Sequence, residues 1–169
     1  STNTDIYSAF SASVGALKGP RHGGANIANK NMMKAIIDEI GLDASIEDMR
    51  NIAHRLLDKD FYDQKGLIYG MGHAVYTLSD PRSVILKQQA QLLAKEKNME
   101  KEFLFYSQFE QVAKEVIYQR KHVHVCSNVD FYSGFVYEMM NIPEDLYSPL
   151  FVASRSVGWL AHNIENKLY

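Results

Sequence analysis

Between Met99 and Arg120, Phe103, Tyr106, Val112, Ala113, Val116 and Ile117 fall on one stripe at helical spacing. A helix that long with a single apolar face must press it against other elements, so it sets the class of fold. The rest of the chain offers matching partners. Helices are predicted over Ser8–Leu17, stopped by Lys18-Gly19-Pro20, and over Asn26–Ile40, closed by Gly41. Ser45 with Asp48 has the spacing of a capping box and opens a helix to about Lys59. Asp80-Pro81 reads as an N-cap followed by proline at the first helical position, with the helix running to Lys97. Further helices are expected from Asn128 to Asn141, where Ile142-Pro143 intervenes, and from a Ser148-Pro149 cap to the end. Gly66–Tyr69 and Lys121–Val125 have the look of short extended pieces. The expected class is all-α, with at most very short strands.

Composition narrows the function. With 169 residues, 46% hydrophobic and 22% charged, the chain is of ordinary size and polarity for one soluble globular domain. A net charge of -2 gives no reason to expect nucleic acid or an anionic membrane as partner, and no apolar run is long enough to span a bilayer. Any anionic ligand must therefore be held by a few placed cations. The single cysteine, Cys126, excludes an internal disulfide and fits a reducing compartment, so a cytoplasmic location is expected. The chain starts without an initiator methionine and ends without an evident tail, as a piece of a longer polypeptide would.

Three segments break the helical pattern, and each joins special backbone to a reactive side chain. GPRHGGAN, Gly19 to Asn26, sets His22 among glycines just before a helix, where unpaired N–H groups favour a neutral imidazole. GMGHAVYTLSDPR, Gly70 to Arg82, sets His73 on a glycine loop and Arg82 in the first turn of the following helix. SNVDFYSG, Ser127 to Gly134, sets Asp130 at a coil-to-helix junction. Singly, each has an ordinary reading: histidine beside glycine as a turn residue, Asp130 as a cap. Arg82 is less ordinary, because a cation opposes the dipole at a helix start. Arg155 lies inside a small-residue helix, where a buried cation would need an anionic partner. His122 and His124 alternate as strand ligands do but lack companions at metal-binding spacing, and Gly70-x-Gly72 lacks the third glycine of a dinucleotide fingerprint. His54 and His162 read as surface or cap residues.

Together the residues say more. Two histidines, a carboxylate and two arginines suit a reaction in which a carbon acid loses a proton and attacks a carbonyl of a polyanionic substrate. The carboxylate removes the proton, one imidazole stabilises the enol oxygen, the other polarises the carbonyl, and guanidinium groups hold carboxylates.

GPRHGGAN, GMGHAVYTLSDPR, NVDFYSG and SRSVGWLAHNIE, in this order and spacing, strongly resemble the citrate synthase family over essentially the whole chain. The resemblance implies that Asp130 is the base toward the methyl group of acetyl-CoA and that His22 meets the thioester oxygen. It implies that His73 binds the oxaloacetate carbonyl and acts as its acid, that Arg82 and Arg155 hold oxaloacetate or citrate carboxylates, and that the backbone of Gly70, Met71 and Gly72 meets the CoA adenine. Ala74 and Thr77 stand where some relatives are basic, so the resemblance leaves the CoA phosphate contacts unassigned. No metal and no permanently bound cofactor is implied; CoA enters and leaves as part of substrate and product.

The resemblance also implies a division of the chain. Residues 23–133 correspond to the small, CoA-binding domain, and 1–22 and 134–169 to segments of the large domain. Relatives carry further sequence with another oxaloacetate-binding histidine and a C-terminal arginine that reaches a neighbouring subunit, in a homodimer or larger homo-oligomer. The isolated chain is accordingly expected to have little or no activity. Two other functions stay open at this point: a 2-methylcitrate synthase using propionyl-CoA, which would share every residue named, and an inactive CoA-binding or assembly module.

Overall fold

The computed structural model describes residues 4–19 and 23–168. Its elements are α1 (Ile6–Leu17), α2 (Ala25–Ile40), α3 (Ile46–Leu57), α4 (Pro81–Lys97), α5 (Glu100–Lys121), α6 (Val129–Met139), a 3-10 turn at Glu144–Leu146, and α7 (Tyr147–Leu168). The fold is all-α. Among the described residues the only β-type pairing is a single antiparallel bridge between Met71 and Ser127. Contacts divide the chain into two units, Asn26–Asn141 and a second made of both ends, Ser1–Ala25 with Ile142–Tyr169.

Local chemistry accounts for most helix ends. Ser45 and Asp48 form a full capping box on α3, and the Asp80 carboxylate caps α4, with Pro81 at its first position. Gly41 closes α2 at φ +78°. Other ends differ from expectation. α1 begins two residues early because Asp5 Oδ1 accepts from the N–H groups of Tyr7 and Ser8. α7 begins at Tyr147, so Ser148-Pro149 lies within its first turn, where a missing N–H costs nothing. The freed Ser148 hydroxyl donates to Gly23 O at 2.6 Å. Neither extended piece is a strand: Gly66 and His122 both take left-handed φ, which ends regular pairing.

In the central unit α5 is the spine. It packs on α3 and α4, and α4 packs on α6. The predicted stripe is buried at Tyr106, Val112, Ala113, Val116 and Ile117, and Phe105 and Phe109 join it. Tyr106 stacks on Phe135 with ring centroids 4.7 Å apart, which ties α5 to α6. In the second unit α1 lies on α7, with Phe10 edge-on to Trp159 at 5.5 Å. A groove of about 620 Å³ between those two helices is lined by residues such as Phe10, Trp159 and Asn163 and holds none of the predicted site residues.

Candidate active site

The short segment Cys126–Asn128 organises the site. Asn128 N donates to Gly70 O at 2.9 Å, and Gly72 N donates to Cys126 O at 2.8 Å. The Asn128 side chain works in two directions: Nδ2 donates to Gly72 O at 2.8 Å, while Oδ1 accepts from Asp130 N at 2.9 Å as the N-cap of α6. One side chain thus fixes the glycine loop against the helix that carries Asp130. Asp130 is the second residue of that helix, where the dipole favours a carboxylate.

The two loop glycines have different reasons. Gly70 has φ +77°, and a Cβ there would stand 2.7 Å from Phe131 Cα; it is glycine so that α6 can come close. Gly72 has φ +93° and no neighbour within 4 Å of a Cβ position. Of the predicted loop, Gly72 alone combines the left-handed conformation with open space beside it. Met71, between them, is partly buried and packs on the core.

His73 follows directly. Its Nδ1 accepts from the N–H groups of Val75 and Tyr76 at 3.0 and 3.1 Å. A neutral imidazole has one acceptor nitrogen and one N–H, so this pattern assigns the proton to Nε2. Nε2 lies 3.1 Å from Arg82 Nη2, and a guanidinium only donates. Two donors therefore converge, and an oxygen acceptor that reaches both is the group they complement.

Arg82 is aimed by Asp80, whose Oδ1 and Oδ2 accept from Nε and Nη2 at 3.0 and 2.8 Å. The fork explains why a cation is tolerated at a helix start: the capping carboxylate is its partner. Hydrogen bonding from Arg82 holds the buried Asp80 carboxyl below the usual carboxylate range, against the effect of burial. Asp80 in turn raises the Arg82 pKa, and the charge of Asp130 adds to that effect. The guanidinium also stands 5.6 Å from the Tyr76 ring centroid. His73, Arg82 and Asp130 are thereby gathered on one side of the central unit.

His22 lies outside the described residues. Arg155, in α7, is half-buried, with its guanidinium over the Phe151 ring at 4.9 Å. His122 and His124 form no strand pair, and His124 stacks on Tyr118 at 4.4 Å.

Comparison with known proteins decides the family. The family model for the citrate synthase C-terminal domain matches residues 1–169. The chain belongs to the citrate synthase family. It is 39% identical to a citrate synthase of Synechocystis, over 100% of this chain and 40% of the relative. It is 34% identical to a 2-methylcitrate synthase of Shewanella oneidensis, over 99% of this chain and 40% of that one. The citrate synthase of Thermoplasma acidophilum, solved as a ternary complex with carboxymethyl coenzyme A and oxaloacetate, matches at TM-score 0.72 and 31% identity over 97% of this chain and 40% of that one. The chain thus spans about 40% of the length of these citrate synthase relatives.

Sequence reasoning passed over one group in this citrate synthase-family chain. Glu110, on α5, is 3% exposed. Its Oε1 accepts from Lys114 Nζ at 2.5 Å and Ser127 Oγ at 2.8 Å. Its Oε2 accepts from Lys87 Nζ and Tyr132 OH, both at 2.7 Å. Burial pushes the carboxyl up, but Lys114, Lys87, Tyr132 and Ser127 outweigh it and hold it down at about 2. Burial and the neighbouring Glu110 raise the Tyr132 phenol. A signal was present: Tyr106, Glu110, Ala113 and Ile117 share one helix face, so the acid sits in the apolar stripe itself.

Proposed function

We propose that this chain is the C-terminal portion of a citrate synthase, which condenses acetyl-CoA with oxaloacetate and hydrolyses the resulting citryl-CoA to citrate and CoA. The observation that carries the reading is the convergence of His73 Nε2–H and Arg82 Nη2, 3.1 Å apart, beside the helix start that bears Asp130. An α-keto acid supplies what they complement, a carbonyl oxygen for the imidazole and a carboxylate for the guanidinium.

In this mechanism the Asp130 carboxylate takes a proton from the acetyl methyl group, and His22 stabilises the enol oxygen so formed. The enol carbon attacks the keto carbon of oxaloacetate; as the new carbon–carbon bond forms, the former keto oxygen takes the proton from His73 Nε2. Arg82 and Arg155 hold carboxylates, and the Gly70–Gly72 backbone receives the CoA adenine. Water then cleaves the thioester, and free thiol leaves with CoA. Residues 23–133 serve as the small domain and 1–22 with 134–169 as parts of the large domain of a cytoplasmic homodimer or larger homo-oligomer. The buried free thiol of Cys126 suits that compartment.

The likeness to a 2-methylcitrate synthase supports a second reading in which propionyl-CoA is the acyl donor. A one-methylene difference is worth only about 1–3 kcal/mol in a pocket, so the residues above serve either donor. The test is thiol release from each acyl-CoA with oxaloacetate, by this chain, by the full-length protein that carries it, and by its Asp130→Asn variant. Turnover by the full-length protein alone, lost in the variant, is the expected result. Faster release from propionyl-CoA selects the second reading, and silence with both donors leaves an inactive CoA-binding module.

A further inference from the structure

The four hydrogen bonds that Glu110 accepts come from Lys87, Lys114, Ser127 and Tyr132, and they grip the chain on both sides of Asp130. Ser127 precedes the Asn128 cap of α6, and Tyr132 lies two residues after Asp130. The Ser127 hydroxyl has a second neighbour, Ser83 Oγ at 3.2 Å, and Ser83 Oγ also donates to Asn128 O at 3.2 Å. Ser83 adjoins Arg82. All these side chains are buried: Ser83 2%, Ser127 6% and Tyr132 0% exposed. One carboxylate on α5 is therefore a common reference point for the start of α6 and the start of α4.

We infer that Glu110 is a positioning residue that sets Asp130 and Arg82 in register with each other. The inference rests on the function proposed above. A carboxylate suits the task because it accepts from several donors at once, and the two lysines keep it ionised so that both oxygens stay acceptors. A glutamine keeps the shape but turns one acceptor oxygen into an NH2, so on that side the lysine loses its acceptor and the hydroxyl must turn round to accept. Positioning matters because a misplacement of about 1 Å is enough to cost roughly a hundredfold in rate.

The experiment uses the full-length protein and measures kcat, KM for each substrate and the thermal midpoint of Glu110→Gln and Tyr132→Phe. Tyr132→Phe removes one anchor without changing charge, and it decides the matter should Glu110→Gln not fold. The expected result is a kcat lowered about ten- to a hundredfold in Glu110→Gln and about threefold or more in Tyr132→Phe, with KM for the acyl-CoA within about twofold of the parent and KM for oxaloacetate, which Arg82 holds, raised. A purely structural role would lower the thermal midpoint but leave kcat per folded molecule intact. Folded variants with parental kcat, or with raised KM at unchanged kcat, overturn the inference alone. A parent protein silent with both acyl-CoA donors overturns the proposed function and this inference with it.

Discussion

Asp80 and Glu110 are both buried carboxylates bonded to cations, and both are tied into the Cys126–Asn128 region, yet they are finished differently. Glu110 is closed: four donors from three helices and one loop residue occupy its oxygens. Asp80 is open-ended: its partner Arg82 keeps 42% of its side chain exposed, and the same Nη2 that donates to Asp80 also faces His73. A closed cluster spends its hydrogen bonds on the frame. An open one uses a buried acid to aim an exposed cation, which is how a fold presents charge to a ligand without letting it collapse onto the surface.

The contrast is broken most severely by Glu110→Ala. Two lysines then lose their counter-charge, and two buried hydroxyls lose their acceptor, so unfolding in urea should show a loss of about 3–5 kcal/mol.

Acid should discriminate nearly as well. Folding lowers the Glu110 pKa from its ordinary 4.5 to about 2, so its stabilisation is complete above pH 4.5 and is lost as the pH falls toward 2. That window is worth on the order of 3 kcal/mol. A urea-midpoint series over it should fall more steeply for the parent than for Glu110→Gln; parallel curves would mean that the cluster carries no such linkage.

The smallest expected effects compare the two glycines of the loop. Gly70→Ala meets Phe131 backbone in addition to a left-handed φ and should cost about 2–3 kcal/mol. Gly72→Ala meets only the φ penalty and should cost about 1 kcal/mol. Equal losses, read from urea midpoints, would contradict the packing of α6 against Gly70.

Much of the fold was legible because it is written locally. The Ser45 box, the Asp80-Pro81 start and the Gly41 stop each act within four residues, and the α5 stripe within one helix. The candidate site was legible as motifs and chemistry, so His73, Arg82 and Asp130 could be named before any contact was known. Their relations were not. The start of α7 was misplaced because Ser148-Pro149 resembles a cap, while its hydroxyl is engaged by Gly23, 125 positions away in the chain. How far Arg155 is buried was not legible either, because burial is a property of what packs above a helix, which a helical pattern cannot report.

By itself, then, the amino-acid sequence determined the helical class, most helix ends, the family and the candidate reacting groups, since these depend on backbone conformation and side-chain chemistry over short spans. Tertiary structure alone decided why Gly70 must be glycine and that Glu110 joins Lys87, Ser127 and Tyr132. Those partners lie 23, 17 and 22 positions from it. Hydrogen bonds over such separations exist only once helices have packed, because it is the packing that excludes water and brings the donors within reach.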